Sequence, residues 1–213
     1  MSSINIRVLI SGGSIAGPAL AHWLRRRGAE VTVVEQSPGL RPGGQAVDAR
    51  GVAKEVIRRM GLDAAVRAAC TDTAGAYTVD ADGNVLETYR VEDNDGDGYI
   101  SEIEVLRGDF SQVLYDDTRD GVEYVFGDRI AELTQDADGV DVTFASGDRR
   151  RFELVIGADG LHSALRAMVF GPREQFVRHL GLVLAFYSVP NEFGLDRWLF
   201  EYQDQDSGRS ALL

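Results

Sequence analysis

The chain has 213 residues and carries 22 Lys and Arg against 34 Asp and Glu, a net charge of −12. That balance argues against a nucleic-acid partner, because phosphate backbones are bound by clustered cations. Cys70 is the single cysteine, which excludes an internal disulfide and any cysteine-built metal site. Hydrophobic residues at 44% and charged residues at 26% suit a globular protein with one large or two small domains. No apolar run approaches membrane-spanning length, and no basic leader or cleavage site precedes the first apolar stretch. A cytoplasmic location without a membrane partner is therefore expected.

In chain order, the first 35 residues carry the strongest pattern. An apolar strand from Ile4 to Ser11 runs into Gly12-Gly13-Ser14-Ile15-Ala16-Gly17, a helix follows, and a second apolar strand ends on Val33-Val34-Glu35. Strand, glycine turn, helix and strand form a dinucleotide-binding βαβ unit. Gly12 permits the tight turn, and Gly17 lets the helix pack close to the strand. The N–H groups around Ile15 and Ala16 open the helix and point at a pyrophosphate. Ser14 stands where the middle glycine is usual; its Cβ crowds the approach, while its hydroxyl can donate to a phosphate. Glu35 follows Gly12 by 23 residues (35 − 12), near the spacing of about 20 at which an acid meets ribose hydroxyls. Arg25, Arg26 and Arg27 close the helix, where cations are favourable.

A Gly- and Pro-rich loop spans 37–44, followed by Gln45 to Arg50. Helical periodicity predicts a helix over 52–60, stopped by Gly61, and a short helix over 63–69. Alternation at 76–80 and 85–90 around Asp82-Gly83-Asn84 reads as a β-hairpin. An acidic loop at 92–98 leads to Ile103-Glu-Val-Leu and a helix from Asp109 to Thr118. Short strands are predicted at 122–126, 130–134 and 139–144. Another at Leu154-Val-Ile enters Gly157-Ala-Asp-Gly-Leu-His-Ser-Ala-Leu-Arg166. The stretch 181–213 is rich in aromatic and β-branched residues and reads as sheet.

Gly157 to Arg166, with Asp159 at its centre, resembles the Asp-Gly fingerprint of FAD-dependent aromatic hydroxylases, the para-hydroxybenzoate hydroxylase-like flavoprotein monooxygenases. Ile10 to Ala21 resembles the opening of the actinomycete branch of that family, which modifies polyketides and antibiotics. Arg41-Pro-Gly-Gly-Gln-Ala-Val-Asp48 and Glu104-Val-Leu-Arg107-Gly-Asp109-Phe110 continue the match in the right order. The resemblance implies an α/β fold: a Rossmann-like, glutathione-reductase-type FAD-binding domain with an interleaved, incomplete mixed-sheet substrate domain. The FAD domain would comprise 1–75 and 99–177, and the substrate part 76–98 and 178–213.

By the same resemblance Glu35 binds the ribose of FAD, and Arg107 reaches its phosphates or ribityl chain. Asp48 borders the flavin, Arg41 meets the incoming NADPH or NADH, and Asp159 serves both cofactors. Competing structural roles are a surface pair of Arg107 with Asp109, and a strand-ending helix cap for Asp159. His162 reads as a helix-start residue. The implied chemistry belongs to the cofactor: NAD(P)H reduces FAD, and a flavin hydroperoxide hydroxylates an aromatic or polyketide-type small molecule. No side chain is assigned as a catalytic acid or base. A loop around Gly43 and Gly44 would let the flavin swing.

The family's third motif, a Gly-Asp pair before a helix, does not occur before Leu213, so C-terminal truncation is expected. A non-catalytic FAD-binding fragment is then an alternative, and a homodimer or a complementing C-terminal half would be the partner. A rival from another class is the stretch from Asp93 to Glu104, which fits a calcium loop. Asp93, Asp95, Asp97, Tyr99 and Glu104 would be ligands. Its context is a hairpin rather than a helix, and no second loop pairs with it, so a solvated acidic loop is the competing reading.

Overall fold

The structure is a computed structural model that describes residues 4–96, 98–204 and 207–213. It divides into two compact units, Met1–Gly43 with Gly108–Ala185, and Gly44–Arg107 with Phe186–Leu213.

The first unit is built on a parallel sheet. β1 (Arg7–Ser11) passes through α1 (Ala16–Arg26) to β2 (Glu30–Glu35), and β7 (Glu123–Phe126) and β11 (Leu154–Gly157) complete the order β11-β1-β2-β7. All three pairings are parallel. Strand side chains alternate between faces, so neighbouring residues feed different cores. Val8, Ile10, Val31 and Val33 pack with Ala21 beneath α1. Leu9 and Val34 point the other way and pack with Ile130, Val142, Phe144, Phe152 and Leu165. Those partners come from an antiparallel sheet of β8 (Ile130–Gln135), β9 (Val140–Phe144) and β10 (Arg149–Phe152), and from α5 (Ala164–Phe170). The unit thus layers helix, parallel sheet and antiparallel sheet, and both faces of the parallel strands are buried as their apolar runs require.

The second unit contains a two-stranded ribbon and a mixed sheet. β3 (Ala46–Asp48) pairs antiparallel with β6 (Glu104–Leu106). β4 (Gly75–Val79) and β5 (Val85–Arg90) form the predicted hairpin. The Asp80 carboxylate accepts the Asp82 and Asn84 amides and shapes the hairpin turn. β12 (Trp198–Asp204) adds to β4 in parallel, and β13 (Arg209–Leu212) closes the order β13-β12-β4-β5. α2 (Val52–Met60) ends at Gly61, whose φ of 78° is the left-handed stop that glycine favours; α3 (Asp63–Ala68) follows. α4 (Arg107–Thr118) begins at the boundary between the units.

Two expectations need correction, and one strand falls outside them all. The helix predicted from Asp109 starts two residues earlier, directly at the end of β6. β10 has no counterpart among the predicted strands, because Arg149, Arg150 and Arg151 mask its period. In the structure Arg150 pairs with Glu123 and Arg151 with Asp136 and Asp141, while Phe152 enters the core. The sheet expected over 181–213 is confined to β12 and β13. Leu180, Leu182, Leu184 and Tyr187 lie exposed outside any described strand. Apolar alternation makes a strand only where a neighbour accepts its ladder, and no described strand runs beside them. Among the described residues, no helix is long and apolar enough to cross a membrane.

Candidate functional site

The turn between β1 and α1 is closed by contacts that only glycine permits. Gly12 has a φ of +114°, and its amide donates to the Val34 carbonyl at 2.8 Å. A Cβ there would lie 2.4 Å from the Ala158 carbonyl oxygen, so the turn rests directly on the chain leaving β11. A Cβ on Gly17 would lie 1.9 Å from the Gly12 carbonyl oxygen, which is the close helix–strand packing its position implies. Ile15 precedes the first turn of α1 without a side-chain cap, and no acid occupies that turn. The Ser14 hydroxyl lies 3.2 Å from that of Ser111 on α4.

Glu35 closes β2 beneath this turn. Its Oε2 accepts the Gly13 amide at 2.8 Å and its Oε1 the Ser37 amide at 2.9 Å. Gly13 had no assigned role in the sequence, yet a Cβ on it would lie 3.0 Å from the Glu35 Cβ. The doubled glycine at 12–13 was the available signal.

Asp159 performs the capping role weighed for it. Its Oδ2 accepts the Leu165 amide at 3.1 Å, and the Ser163 hydroxyl accepts the Arg166 amide at 2.9 Å, so two side chains satisfy the start of α5. Asp159 Oδ1 is buried and has no hydrogen-bond partner among the described residues. A cleft of about 880 Å³ opens at this point in the first unit, lined in part by Ala16, Leu133, Val155, Ala158, Asp159 and Phe170. It brings Ala16 and Asp159 together. Glu153 lies on the same lining, where hydrogen bonds from the Arg7 guanidinium and amide hold its carboxyl down at about 2. His162 is exposed beside the Ser163 cap.

Arg41 is exposed at the protein surface. Its carbonyl oxygen and the Gly43 backbone press against Gly108, where a Cβ would come within 2.8 Å of either carbonyl oxygen. Asp48 and Arg107 belong to the second unit. The Arg107 amide donates to the Gln45 carbonyl at 3.0 Å, and its side chain lies over Gly44, whose φ is +93°. The β3–β6 ribbon sets Asp48 opposite Glu104, so Arg107 and Asp48 stand at opposite ends of it. Asp48 is held by Arg50, a residue the sequence did not single out.

The calcium-loop reading does not gain a site. β5 precedes the acidic stretch, and residues 93–96 form a single 3₁₀ turn. Asp93 Oδ2 accepts the Arg90 amide, and Glu104 Oε1 accepts the Thr71 and Thr73 hydroxyls. Tyr99 stacks on Tyr89. Asp97 lies outside the described residues. Among the described residues, no group of three or more His, Cys, Asp or Glu is arranged to hold a metal ion.

A parallel βαβ unit with a glycine turn and a strand-terminal acid is the arrangement found in dinucleotide-binding sheets. The chain belongs to the FAD binding domain family, whose model matches residues 5–190. It is 51% identical over 194 residues to an uncharacterized protein of Mycobacterium tuberculosis, a match covering 90% of this chain and 52% of that one. It is 38% identical over 193 residues to a flavin-dependent monooxygenase of Legionella longbeachae, covering 91% and 49%. Among solved structures, tetracycline destructase Tet(55) superposes with a TM-score of 0.77 at 31% identity, covering 100% of this chain and 56% of that chain. Tet(51), another tetracycline destructase, gives 0.73 at 34% identity, covering 96% and 51%. The chain spans about half the length of the curated relatives it matches.

Proposed function

We propose that this chain is the FAD-binding portion of an NAD(P)H-consuming monooxygenase that hydroxylates an aromatic or polyketide-type small molecule. The observation that carries the reading is the Glu35 carboxylate, drawn beneath the glycine turn by the Gly13 amide at 2.8 Å. That arrangement sets an acid for ribose hydroxyls beside a helix start suited to a pyrophosphate. The donor set fits FAD: Gly12, Gly13 and Gly17 leave no Cβ in the cradle, and no side chain caps the first turn of α1.

When bound, FAD supplies the redox chemistry of oxygen insertion. The chain's own residues bind and orient it. Glu35 takes the ribose hydroxyls, Ser14 and the Ile15–Gly17 backbone take the pyrophosphate, and Asp159 keeps one carboxylate oxygen for a cofactor hydroxyl. The roles of Arg41 with the nicotinamide cofactor, and of Asp48 and Arg107 with FAD, rest on the family resemblance. The domain is of the Rossmann-like, glutathione-reductase type in this reading. The tetracycline destructases among its neighbours support a polycyclic, polyketide-type substrate. Turnover is assigned to a protein that also holds the part of the relatives this chain does not match. The exposed apolar residues Leu180, Leu182, Val183 and Leu184 offer that part a surface.

The test is the visible absorption spectrum of the purified chain after FAD addition and desalting. A retained flavin band supports the site, and its absence from folded protein removes it. A band that NADPH and NADH both fail to bleach supports instead a non-catalytic FAD-binding chain.

A further inference from the structure

The acidic stretch that resembles a calcium loop is joined to the end of β3 by Arg50. Arg50 Nε and Nη2 donate to Asp48 Oδ2 at 3.1 and 2.5 Å. The same guanidinium donates from Nη2 to the Tyr99 carbonyl at 2.8 Å and from Nη1 to the Gly98 carbonyl. One planar fork therefore joins the last residue of β3 to the end of the acidic stretch. Arg suits this task because its donors are fixed in one plane, whereas Lys presents a point charge on a flexible stem.

Neighbouring contacts stitch the same seam. The Ser101 hydroxyl donates to the Ala49 carbonyl at 3.0 Å, and the Ala49 amide donates to the Ile103 carbonyl at 2.9 Å. Lys54 pairs with Glu102 at 3.1 Å. Beyond the seam, the Tyr99 ring stacks on Tyr89 of β5 at 4.6 Å, and its hydroxyl donates to Glu201 on β12. Burial and that hydrogen bond push the Tyr99 phenol up to about 12, so it remains a donor at neutral pH. Gly98 is required where it stands, because a Cβ would lie 2.9 Å from the Asp93 carbonyl oxygen.

We infer that Arg50 is a positioning residue that fixes the Asp48 carboxylate for the cofactor and clamps the 98–101 segment onto β3. The acidic stretch is then a strap between Asp48 and strands β5 and β12 rather than a cation site. This inference rests on the proposed contact of Asp48 with FAD.

The test compares FAD affinity, by flavin fluorescence, with amide exchange over residues 98–101 in the purified chain. Arg50→Ala and Asp48→Asn should each weaken FAD binding about tenfold, as loss of a charged hydrogen bond does. The double variant should bind no more weakly than either single one, because both act on one carboxylate. Exchange over 98–101 should rise in Arg50→Ala and stay unchanged in Asp48→Asn. Arg50→Lys should regain part of the FAD affinity while the segment stays loose, which guards against a simple folding defect. If Asp48→Asn weakens FAD binding and Arg50→Ala does not, the positioning role falls and the Asp48 reading stands. If Asp48→Asn leaves affinity unaltered, the Asp48 contact falls and the positioning role falls with it. Unchanged exchange in Arg50→Ala overturns the clamp.

Discussion

Glu35 and Gly13 are held together in two ways: the Gly13 amide donates to Glu35 Oε2 at 2.8 Å, and the missing Gly13 side chain leaves room for the Glu35 stem. The acid is thus oriented by the turn that faces the pyrophosphate in the proposed site. Glu35→Ala should weaken FAD binding by about 1–3 kcal/mol, the range for hydrogen bonds to a charged group. Gly13→Val should weaken FAD binding as well, because its side chain must displace the Glu35 Cβ, and overpacking of this kind costs about 1–3 kcal/mol of stability. Titration of each variant with FAD checks both. Unchanged affinity in both variants would place the adenosine half elsewhere.

Gly17 predicts a purely structural effect. A Cβ there would stand 1.9 Å from the Gly12 carbonyl oxygen and 3.4 Å from Ile10 Cγ2, and neither can retreat without moving β1. Gly17→Ala should lower stability by about 3 kcal/mol or more, at the upper end for overpacking. Urea denaturation measures it. A shift below about 1 kcal/mol would mean that α1 relaxes away from the strand.

The two caps of α5 allow Asp159's structural and cofactor roles to be separated. Ser163→Ala should cost about 1 kcal/mol, as loss of an N-cap does, and leave FAD affinity unaltered. Asp159→Asn keeps an oxygen acceptor for the Leu165 amide and removes the charge. It should therefore hold most of the stability while FAD or NADPH affinity falls. Equal affinities for Asp159→Asn and the parent would leave Asp159 with the cap alone.

The sequence announced the parts of this fold that are local. The βαβ opening, the helix stop at Gly61 and the Asp80–Asn84 turn each depend on residues within one or two turns of chain. Glu35 and Gly17 were legible for the same reason. What escaped depended on distant partners. Arg150 and Arg151 are accommodated in a strand because Glu123 on β7, Asp136 and Asp141, all distant in sequence or on other strands, neutralise them. Leu182 and Leu184 have the composition of a strand without a described neighbour to pair with. Gly13 and Arg50 were missed because their importance lies in what they touch, a carboxylate stem and two carbonyls, and spacing alone does not show such contacts.

Acid should weaken the join between β1 and β11 through Glu153. Its carboxylate accepts the Arg7 amide at 2.6 Å and the Arg7 guanidinium at 2.8 Å, while its own amide donates to the Arg7 carbonyl at 3.0 Å. The folded value of about 2 lies below the ordinary 4.5, with the Arg7 hydrogen bonds as the leading cause. A depressed carboxyl contributes its stability in full above the unfolded value and loses it as pH falls towards the folded one. The window therefore runs from about 4.5 down to about 2. Both partners are partly solvated, so the effect is modest and screened by salt. Urea midpoints of the parent and Glu153→Gln, measured across that window, should converge as the pH falls. Midpoints separated by a constant amount at every pH would show that the Glu153 charge contributes nothing to holding the strands together.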